Sequence, residues 1–221
     1  MRLFLYSDFC GIKTDAEILK QNFDFDLATA RVLFVPYADK TYTTYKNRIK
    51  EKLYSLGFSK GNITEVTKKT ELFRFDFKLI FVSGGNSLRL IHYLKKYKQY
   101  DFLKELINKN IVYIGDSAGS VVVGNNVEYT ESYEPFNDTI EMDRNEIYES
   151  LNLIDKVVLA HTTKRRVNHL TNEVYDDDLY FNYYLKYKKP LEEKPHISIG
   201  NNQFVFVEDG NEKVFSEDIE N

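Results

Sequence analysis

The sequence predicts an α/β fold in three layers, with a mainly parallel sheet between helices on both faces. Apolar runs and stretches of helical periodicity alternate along most of the 221 residues. The runs RVLFVPY, over residues 31–37, and KLIFVS, over residues 78–83, have continuous apolar centres, as strands buried on both faces do. Two of the runs lead into glycine turns, beginning at Gly84 and Gly115, and parallel sheets bind ligands where such strands end.

The N-terminal part of the chain supplies two strands and a helix. Residues 2–7 are a short apolar run, which predicts the first strand. Residues 14–21 predict a helix, with Thr14 as its N-cap and Glu17 in the capping-box position. The run at 31–37 follows as the second strand.

Residues 41–56 predict a longer helix, and Gly57 provides a natural C-terminal stop. The apolar face of this helix is formed by Tyr42, Tyr45, Ile49, Leu53 and Leu56. A weaker strand is expected over 63–66 and a stronger one over 78–83.

Helical spacing resumes after the turn at residues 84–87 and is carried by Leu88, Ile91 and Leu94. Another helix is expected over 101–108, and the β-branched run at 111–114 predicts the next strand. This alternation of strands and helices is what favours a parallel sheet.

The C-terminal part begins with a polar, acidic segment over residues 125–150. We expect loops there, a short helix near 144–150, and a solvated surface in preference to a lid over a site. A surface helix is expected over 175–187. Three further strands are expected at 156–160, 196–200 and 203–207.

Ser117 lies at the centre of a Gly-x-Ser-x-Gly motif, the pattern of a nucleophile elbow. A serine that attacks a carbonyl must stand clear of the backbone at the end of a strand. Gly115 and Gly119 have no side chains, so the helix that follows can pass close to that strand. A motif this short also occurs by chance in loops. A phosphate-binding loop fits less well, because no Gly-Lys-Ser/Thr sequence closes it.

His161 is the best-placed base for Ser117, because it ends the apolar strand over 156–160 just as the serine ends its own. The other three histidines are expected to be structural or solvated: His92, His169 and His196. Cys10 is the rival nucleophile, although a lone cysteine on an apolar stretch is more often a small core residue.

Backbone amides near Ser117 are candidates to bind an oxyanion. Gly84 and Gly85 form a strand-to-helix turn, and one of their amides is a candidate donor beside the amide of Ala118. In a plain turn, Asn86 or Ser87 would cap the helix. Both interpretations can hold at once.

Composition excludes several classes of protein. The net charge of −4 argues against nucleic acid as the main partner, and no apolar run approaches membrane-spanning length. A single cysteine excludes an internal disulfide framework and fits a reducing compartment, so a cytoplasmic location is expected. No histidine, carboxylate or cysteine cluster has metal spacing, and we expect neither a metal nor a cofactor. We expect residues 1–221 to form a single domain, either a monomer or a homodimer.

The chain resembles the peptidase E (aspartyl dipeptidase) and cyanophycinase family of serine peptidases. The resemblance lies in the segments at 82–87 and 115–120 and in the strand leading to His161. It implies a class I glutamine-amidotransferase-like (flavodoxin-like) α/β fold and a small peptide substrate. It also implies Ser117 as nucleophile, His161 as general base, and oxyanion donors from the Gly84-Gly85 turn and Ala118.

The sequence departs from this family in two places. The family carries an acidic third residue on the turn before its final strands, where this chain places Asn201, with Asn202 as the alternative register. Aspartyl dipeptidases also carry a Gly-Glu-x-Arg-rich segment after the histidine. Here Arg165 or Arg166 could hold a substrate carboxylate or simply belong to a basic surface.

Three functions therefore stand open. The first is an active serine peptidase of dipeptidase type. The second is an esterase of the α/β-hydrolase type, in which the acid lies between serine and histidine in the chain; its options would be Asp138, Asp143 and Asp155. The third is a binding or sensing homologue that has lost efficient catalysis, which Asn201 favours.

Overall fold

A computed structural model describes residues 1–39, 44–68, 76–109, 111–132, 144–167 and 173–217. Its main sheet has seven strands in the order β11-β10-β1-β5-β4-β2-β3. These strands are β1 (Arg2–Tyr6), β2 (Arg31–Val35), β3 (Ile63–Glu65), β4 (Phe77–Val82), β5 (Val112–Asp116), β10 (Gln203–Glu208) and β11 (Asn211–Ser216). The first five pair in parallel, whereas β10 and β11 add an antiparallel edge next to β1.

Helices cover both faces of this sheet, which confirms the predicted α/β fold. They are α1 (Ala16–Gln21), α2 (Thr44–Leu56), α3 (Ser87–Lys96), α4 (Tyr100–Asn108), α5 (Ala118–Val121), α6 (Arg144–Tyr148) and α7 (Asp178–Tyr183). Successive strand residues face opposite sides, so Leu79 and Phe81 pack with α1 and α2, whereas Ile80 and Val82 pack with α3 and α4. The sheet is therefore buried on both faces by two separate apolar cores.

A second, small sheet positions the C-terminal residues of the site. It contains β6 (Val157–Ala160) and β9 (His196–Ile199), which run parallel with Ala160 opposite Ile199. Because parallel strands end at the same edge, the residues that follow β6 and β9 emerge side by side. The sequence predicts both β9 and β10, and the structure separates them: β9 joins the small sheet and β10 crosses into the main one.

The structure corrects two predicted helix boundaries. The N-cap of α1 is Asp15, not Thr14, and the Asp15 carboxylate accepts hydrogen bonds from the Tyr6 hydroxyl and from Lys52 instead of capping the helix. The segment 175–187 is not one helix. Val174–Asp176 is strand β8, Asp177 caps α7, and a wider π-type turn follows from Tyr184 to Lys188.

Strand β8 pairs in antiparallel fashion with β7 (Arg165–Val167), which the sequence does not predict. Neither strand has an apolar run: β7 is only partly buried, and β8 is exposed along its length. Parts of the predicted elements at 41–56 and 125–150 lie outside the described residues, although the short helix near 144–150 is present as α6. Within the described part of the chain, no helix is long and apolar enough to cross a membrane.

Candidate active site

The candidate nucleophile stands on a strained turn at the end of β5. Ser117 has φ 47° and ψ −105°, in the left-handed half of backbone space that side chains disfavour. Its amide donates to the Tyr6 carbonyl at 2.8 Å, which ties the turn to β1. A Cβ on Gly119 would lie 2.3 Å from the Val82 carbonyl oxygen, so only glycine allows α5 to pass this close to β4. The local sequence thus lifts the serine side chain out of the sheet edge.

Three predicted residues from different segments meet at this edge. The Ser117 Oγ lies 2.9 Å from His161 Nε2, and His161 Nδ1 lies 2.7 Å from Asn201 Oδ1. His161 follows β6, also with a positive φ of 58°, and Asn201 follows β9. The parallel pairing of β6 with β9 explains why the last two residues adjoin, although 39 residues separate them in the chain.

The hydrogen bonds of Asn201 fix which end of its amide faces the histidine. Its Nδ2 donates to the carbonyls of Thr163, at 2.8 Å, and Arg165, at 3.2 Å. The Oδ1 atom must then face His161, and because an amide oxygen only accepts, His161 Nδ1 carries the proton. Nε2 of the neutral ring is left to accept from the Ser117 hydroxyl, the tautomer that a general base requires.

The surroundings keep the His161 ring neutral. Burial lowers its pKa to about 3, and the positive charges of Lys188 and Arg166 act in the same direction. The Lys188 ammonium is itself buried and donates to the Ala160 carbonyl at 2.8 Å. The hydrogen bond to Asn201 opposes this shift without cancelling it. His161 is therefore unprotonated at neutral pH, but it is a weak proton acceptor.

The predicted oxyanion donors lie around the serine. Ala118 is the first residue of α5, so its amide has no acceptor within the helix. A Cβ on Gly84 would lie 3.2 Å from Ser117 Cβ, which shows how closely this turn approaches the nucleophile. Asn86 caps α3 by accepting from the Arg89 amide at 2.8 Å, so its side chain has a structural role. The helix α5 has four residues, too few to give a strong dipole.

A cavity of about 260 Å³ opens beside Ser117 and His161. Its wall is lined by Ser7, Asp8, Asp39, Tyr45, Gly84, Gly85, Ser117, His161, Arg166 and Tyr180. Of the two candidate arginines, Arg166 lines the cavity, whereas Arg165 is exposed outside it and contributes its carbonyl to Asn201. Tyr180 lies over the imidazole, with the ring centroids of Tyr180 and His161 5.1 Å apart.

Sequence reasoning missed Ser7, Asp8, Asp39, Tyr45 and Tyr180 as lining residues. They come from the segments that follow β1 and β2 and from the helices α2 and α7, which no short motif marks. Ser7, Asp8 and Asp39 could have been found, because they follow predicted strands and parallel sheets bind ligands where their strands end. Tyr180 lies within 175–187, where the sequence predicts a surface helix, but no sequence signal placed that helix beside His161.

Of the remaining candidates, Cys10, His92, His196 and Asp155 do not line this cavity. Cys10 lines another cavity, and burial with the nearby Asp116 and Asp8 carboxyls raises its pKa to about 12, which keeps the thiol protonated. His92 is buried in α3, and His196 Nδ1 lies 2.9 Å from the Lys194 carbonyl. Asp155 accepts from Asn125. His169, Asp138 and Asp143 lie outside the described residues.

Asp116, next to the serine, is wholly buried. Burial and the nearby Asp8 carboxyl raise its pKa well above the usual range, while its Oδ1 accepts from the Phe9 amide at 2.9 Å. Through this hydrogen bond Asp116 connects the Ser117 turn to the segment after β1, and it does not line the cavity. Among the described residues, no group of histidine, cysteine and acidic side chains could hold a metal ion.

Comparison with known proteins gives the family. Residues 11–215 match the model of peptidase family S51. The chain is 29% identical over 179 residues to an uncharacterized peptidase of Listeria monocytogenes, an alignment that covers 78% of this chain and 83% of that protein. It is also 32% identical over 100 residues to peptidase E of Shewanella amazonensis, covering 44% of this chain and 42% of that protein.

The fold matches that of a solved relative. A crystal structure from Listeria monocytogenes, described as a peptidase E protein, superposes with a TM-score of 0.74 at 23% identity and covers 98% of both chains. At this identity the likeness shows the fold alone; together with the family match, it indicates an α/β fold of the class I glutamine-amidotransferase type. Because the sequence match extends over nearly the whole chain, the protein belongs to peptidase family S51.

Proposed function

We propose that this protein is a serine peptidase of dipeptidase type that hydrolyses small peptides. The observation that carries the proposal is the chain of two contacts from Ser117 through His161 to Asn201, at 2.9 and 2.7 Å. A hydroxyl within hydrogen-bond distance of an oriented, neutral imidazole is the arrangement that activates a serine nucleophile.

In the proposed reaction, Ser117 Oγ attacks the peptide carbonyl while His161 Nε2 takes the hydroxyl proton. The developing oxyanion is bound by the amide of Ala118 and by an amide of the Gly84-Gly85 turn. His161 then gives the proton to the leaving amine, and the acyl group stays on Ser117. Water, activated by the same imidazole, attacks the acyl-enzyme and releases the acid.

The size of the cavity supports a small substrate. Its volume of about 260 Å³ is slightly below the range of ordinary ligand pockets, which runs from roughly 300 to 1,000 Å³. The Gly84-Gly85 turn and the side chain of Tyr180 are part of its wall. Such a site suits one or two residues better than an extended polypeptide.

A fluorophosphonate probe tests this proposal directly, since it labels only an activated serine. We expect labelling of the wild-type protein and none of Ser117→Ala or His161→Ala. Ser55→Ala is the matched control, because Ser55 is an exposed serine on α2 and should leave labelling unchanged. Equal labelling of wild type and Ser117→Ala, or none of either, would contradict the proposal.

A catalytically weak homologue that binds peptides is the second candidate. It is favoured by the amide at position 201 and by the low pKa of His161, since both lessen stabilisation of the imidazolium that forms during attack. Hydrolysis of dipeptides measured against Ser117→Ala separates the two candidates. Binding without turnover above the Ser117→Ala background would favour the weak homologue.

A further inference from the structure

The ring of Tyr180 covers the imidazole of His161. The two ring centroids lie 5.1 Å apart with an angle of 46° between the ring planes, and both side chains line the cavity. His161 is nevertheless only 5% exposed, and burial is the main cause of its low pKa. Tyr180 therefore helps to keep water away from the ring that faces the Ser117 hydroxyl.

Apolar packing does not explain how Tyr180 is held in this place. Helix α7 has six residues, none of which is buried, and a helix this short is not stable alone. Polar contacts fix its first turn instead. Asp177 is the N-cap and accepts from the Tyr180 amide at 3.2 Å, while the Asp177 amide donates to the Lys164 carbonyl at 2.8 Å. The position of Tyr180 therefore follows that of Asp177.

Arg166 ties Asp177 to the segment after β1. Its Nη1 donates to Asp177 at 3.0 Å and its Nε donates to Asp8 at 3.2 Å. The two carboxylate side chains are 12% and 3% exposed, and breaking so shielded a pair costs more than breaking a pair on the surface. The guanidinium carbon of Arg166 also lies 5.8 Å from the centre of the Tyr180 ring.

We propose that Arg166 and Asp177 are positioning residues that hold Tyr180 against His161. This inference rests on the proposed function, because the imidazole that Tyr180 shields is the proposed general base. The ion pair then acts on His161 through the aromatic ring and not through its charge.

The charges around His161 allow these two routes to be told apart. Lys188 and Arg166 lower its pKa, and Asp8 raises it. Removing a further carboxylate would by charge alone lower this pKa, whereas letting water reach the ring would raise it. Loss of Asp177 therefore has opposite effects on the two routes.

Asp177→Asn is the first test. Asparagine caps helices as well as aspartate does, so α7 keeps its cap but loses the ion pair with Arg166. NMR of the imidazole nitrogens at pH 4.5 measures the protonated fraction of His161, with His161→Gln to assign the signal. We expect this fraction to rise by about fivefold or more, as a pKa higher by about one would produce. An unchanged or smaller fraction in the folded variant would overturn the proposal.

Arg166→Lys gives the same comparison without a change of charge. Lysine lacks the planar fork with which Arg166 contacts Asp8 and Asp177 together, so Tyr180 should again be released. The protonated fraction of His161 should therefore rise in this variant as well. A thermal melt at pH 4.5 reports whether each variant is folded. A wild-type fraction in folded Arg166→Lys would count against the proposal.

Two variants of Tyr180 test whether the effect passes through its ring. Tyr180→Ala should raise the protonated fraction of His161, whereas Tyr180→Phe keeps the ring and should resemble wild type. Asp177→Asn combined with Tyr180→Ala should give no larger rise than Tyr180→Ala alone, because both changes remove the same contact. Additive effects, or equal fractions in Tyr180→Ala and Tyr180→Phe, would overturn the route through the ring.

Lys164→Gln is the matched control. Lys164 pairs with Asp176 and Asp178 on the same segment, but these three side chains are 40%, 49% and 72% exposed. Exposed pairs contribute little, so the protonated fraction of His161 should stay at the wild-type value. A rise as large as that in Asp177→Asn would overturn the assignment to Arg166 and Asp177.

The imidazole titration does not depend on catalysis, so it separates this proposal from the proposed function. Higher protonated fractions in Asp177→Asn and Tyr180→Ala, in a protein that no fluorophosphonate labels, would support the positioning of Tyr180 and count against peptidase activity. Labelling of Ser117 in wild type, with unchanged fractions in both variants, would overturn the positioning and leave the peptidase proposal intact.

Discussion

At the scale of single residues, Asn201 does two things that an aspartate could not do together. Its Nδ2 donates to the Thr163 and Arg165 carbonyls, while its Oδ1 accepts from His161. A further bond, from the Asn201 amide to Thr163 Oγ1 at 2.8 Å, fixes the backbone. The Asn201 side-chain amide thus holds the loop after β6 as well as the His161 ring, so replacing it should affect both stability and the imidazole.

Asn201→Asp should lower stability and raise the pKa of His161 at the same time. A carboxylate oxygen would face the Thr163 and Arg165 carbonyls without a proton to donate, at a cost of about 1–3 kcal/mol. Its charge would favour the imidazolium, so the acid limb of kcat/KM should move to higher pH and turnover should rise. Chemical denaturation and a pH–rate profile measure the two effects. An acid limb that stays in place would refute the role given to Asn201.

His161 should make the protein less stable as pH falls. Its folded pKa of about 3 lies below the ordinary histidine value near 6.5, so between these limits the unfolded chain binds the proton more readily. Protonation of His161 does not affect the free energy of unfolding above pH 6.5. Between pH 6.5 and about 3, it lowers that free energy by on the order of 1.4 kcal/mol per pH unit. Denaturant titrations at pH 7, 5.5 and 4 measure it. In His161→Gln the free energy of unfolding should depend less on pH than in wild type. The same pH dependence in both proteins would contradict this prediction.

At the scale of elements, the strands that the sequence predicts best are those with continuous apolar runs. Strands β1, β2, β4, β5 and β6 are buried along nearly their whole length, and the sequence marks each of them. The β7–β8 hairpin and β11 expose most of their residues, so no hydrophobic pattern distinguishes them from loops. The sequence therefore predicts the strands that build the core and misses those that line its rim.

The contact of α5 with β4 should depend strictly on Gly119. Gly119→Ala would place a Cβ 2.3 Å from a backbone oxygen that cannot move away, and we expect a loss of about 2–3 kcal/mol of stability. Labelling by a fluorophosphonate should also fall, because the Ser117 turn would shift. Gly61→Ala is the matched control, since a Cβ there meets nothing within 4 Å. Similar unfolding midpoints for the two variants would refute this packing argument.

At the scale of the whole molecule, the site is assembled across two sheets. The main sheet supplies Ser117, whereas the small β6–β9 sheet supplies His161 and Asn201. The elbow motif and the strand before His161 could be recognised in the sequence, and resemblance to a family indicated Asn201. The side chains that line the cavity could not be recognised, because Asp8, Asp39 and Tyr180 meet only through the tertiary packing of separate segments.

Ser7 joins these two sheets at the site. Its Oγ donates to the Ile199 carbonyl at 2.6 Å and accepts from the His161 amide at 2.8 Å, so one hydroxyl connects the end of β1 with the ends of β6 and β9. Ser7 is 1% exposed, and water could not easily replace it. The position of the imidazole relative to Ser117 therefore depends on a residue outside the proposed triad.

Ser7→Ala should reduce the reactivity of Ser117 more than it reduces stability. The variant leaves the buried His161 amide without this acceptor, whereas the Ile199 carbonyl still accepts from the Thr162 amide, and we expect a cost of about 1–3 kcal/mol. A displacement of the ring by about 1 Å can lower a rate by roughly a hundredfold, and we expect at least tenfold slower fluorophosphonate labelling. Ser7→Thr, which keeps the hydroxyl, should restore much of the rate if the added methyl fits, and Ser55→Ala should change neither property. Labelling of folded Ser7→Ala at the wild-type rate would mean that the sheets hold His161 in place without this bridge.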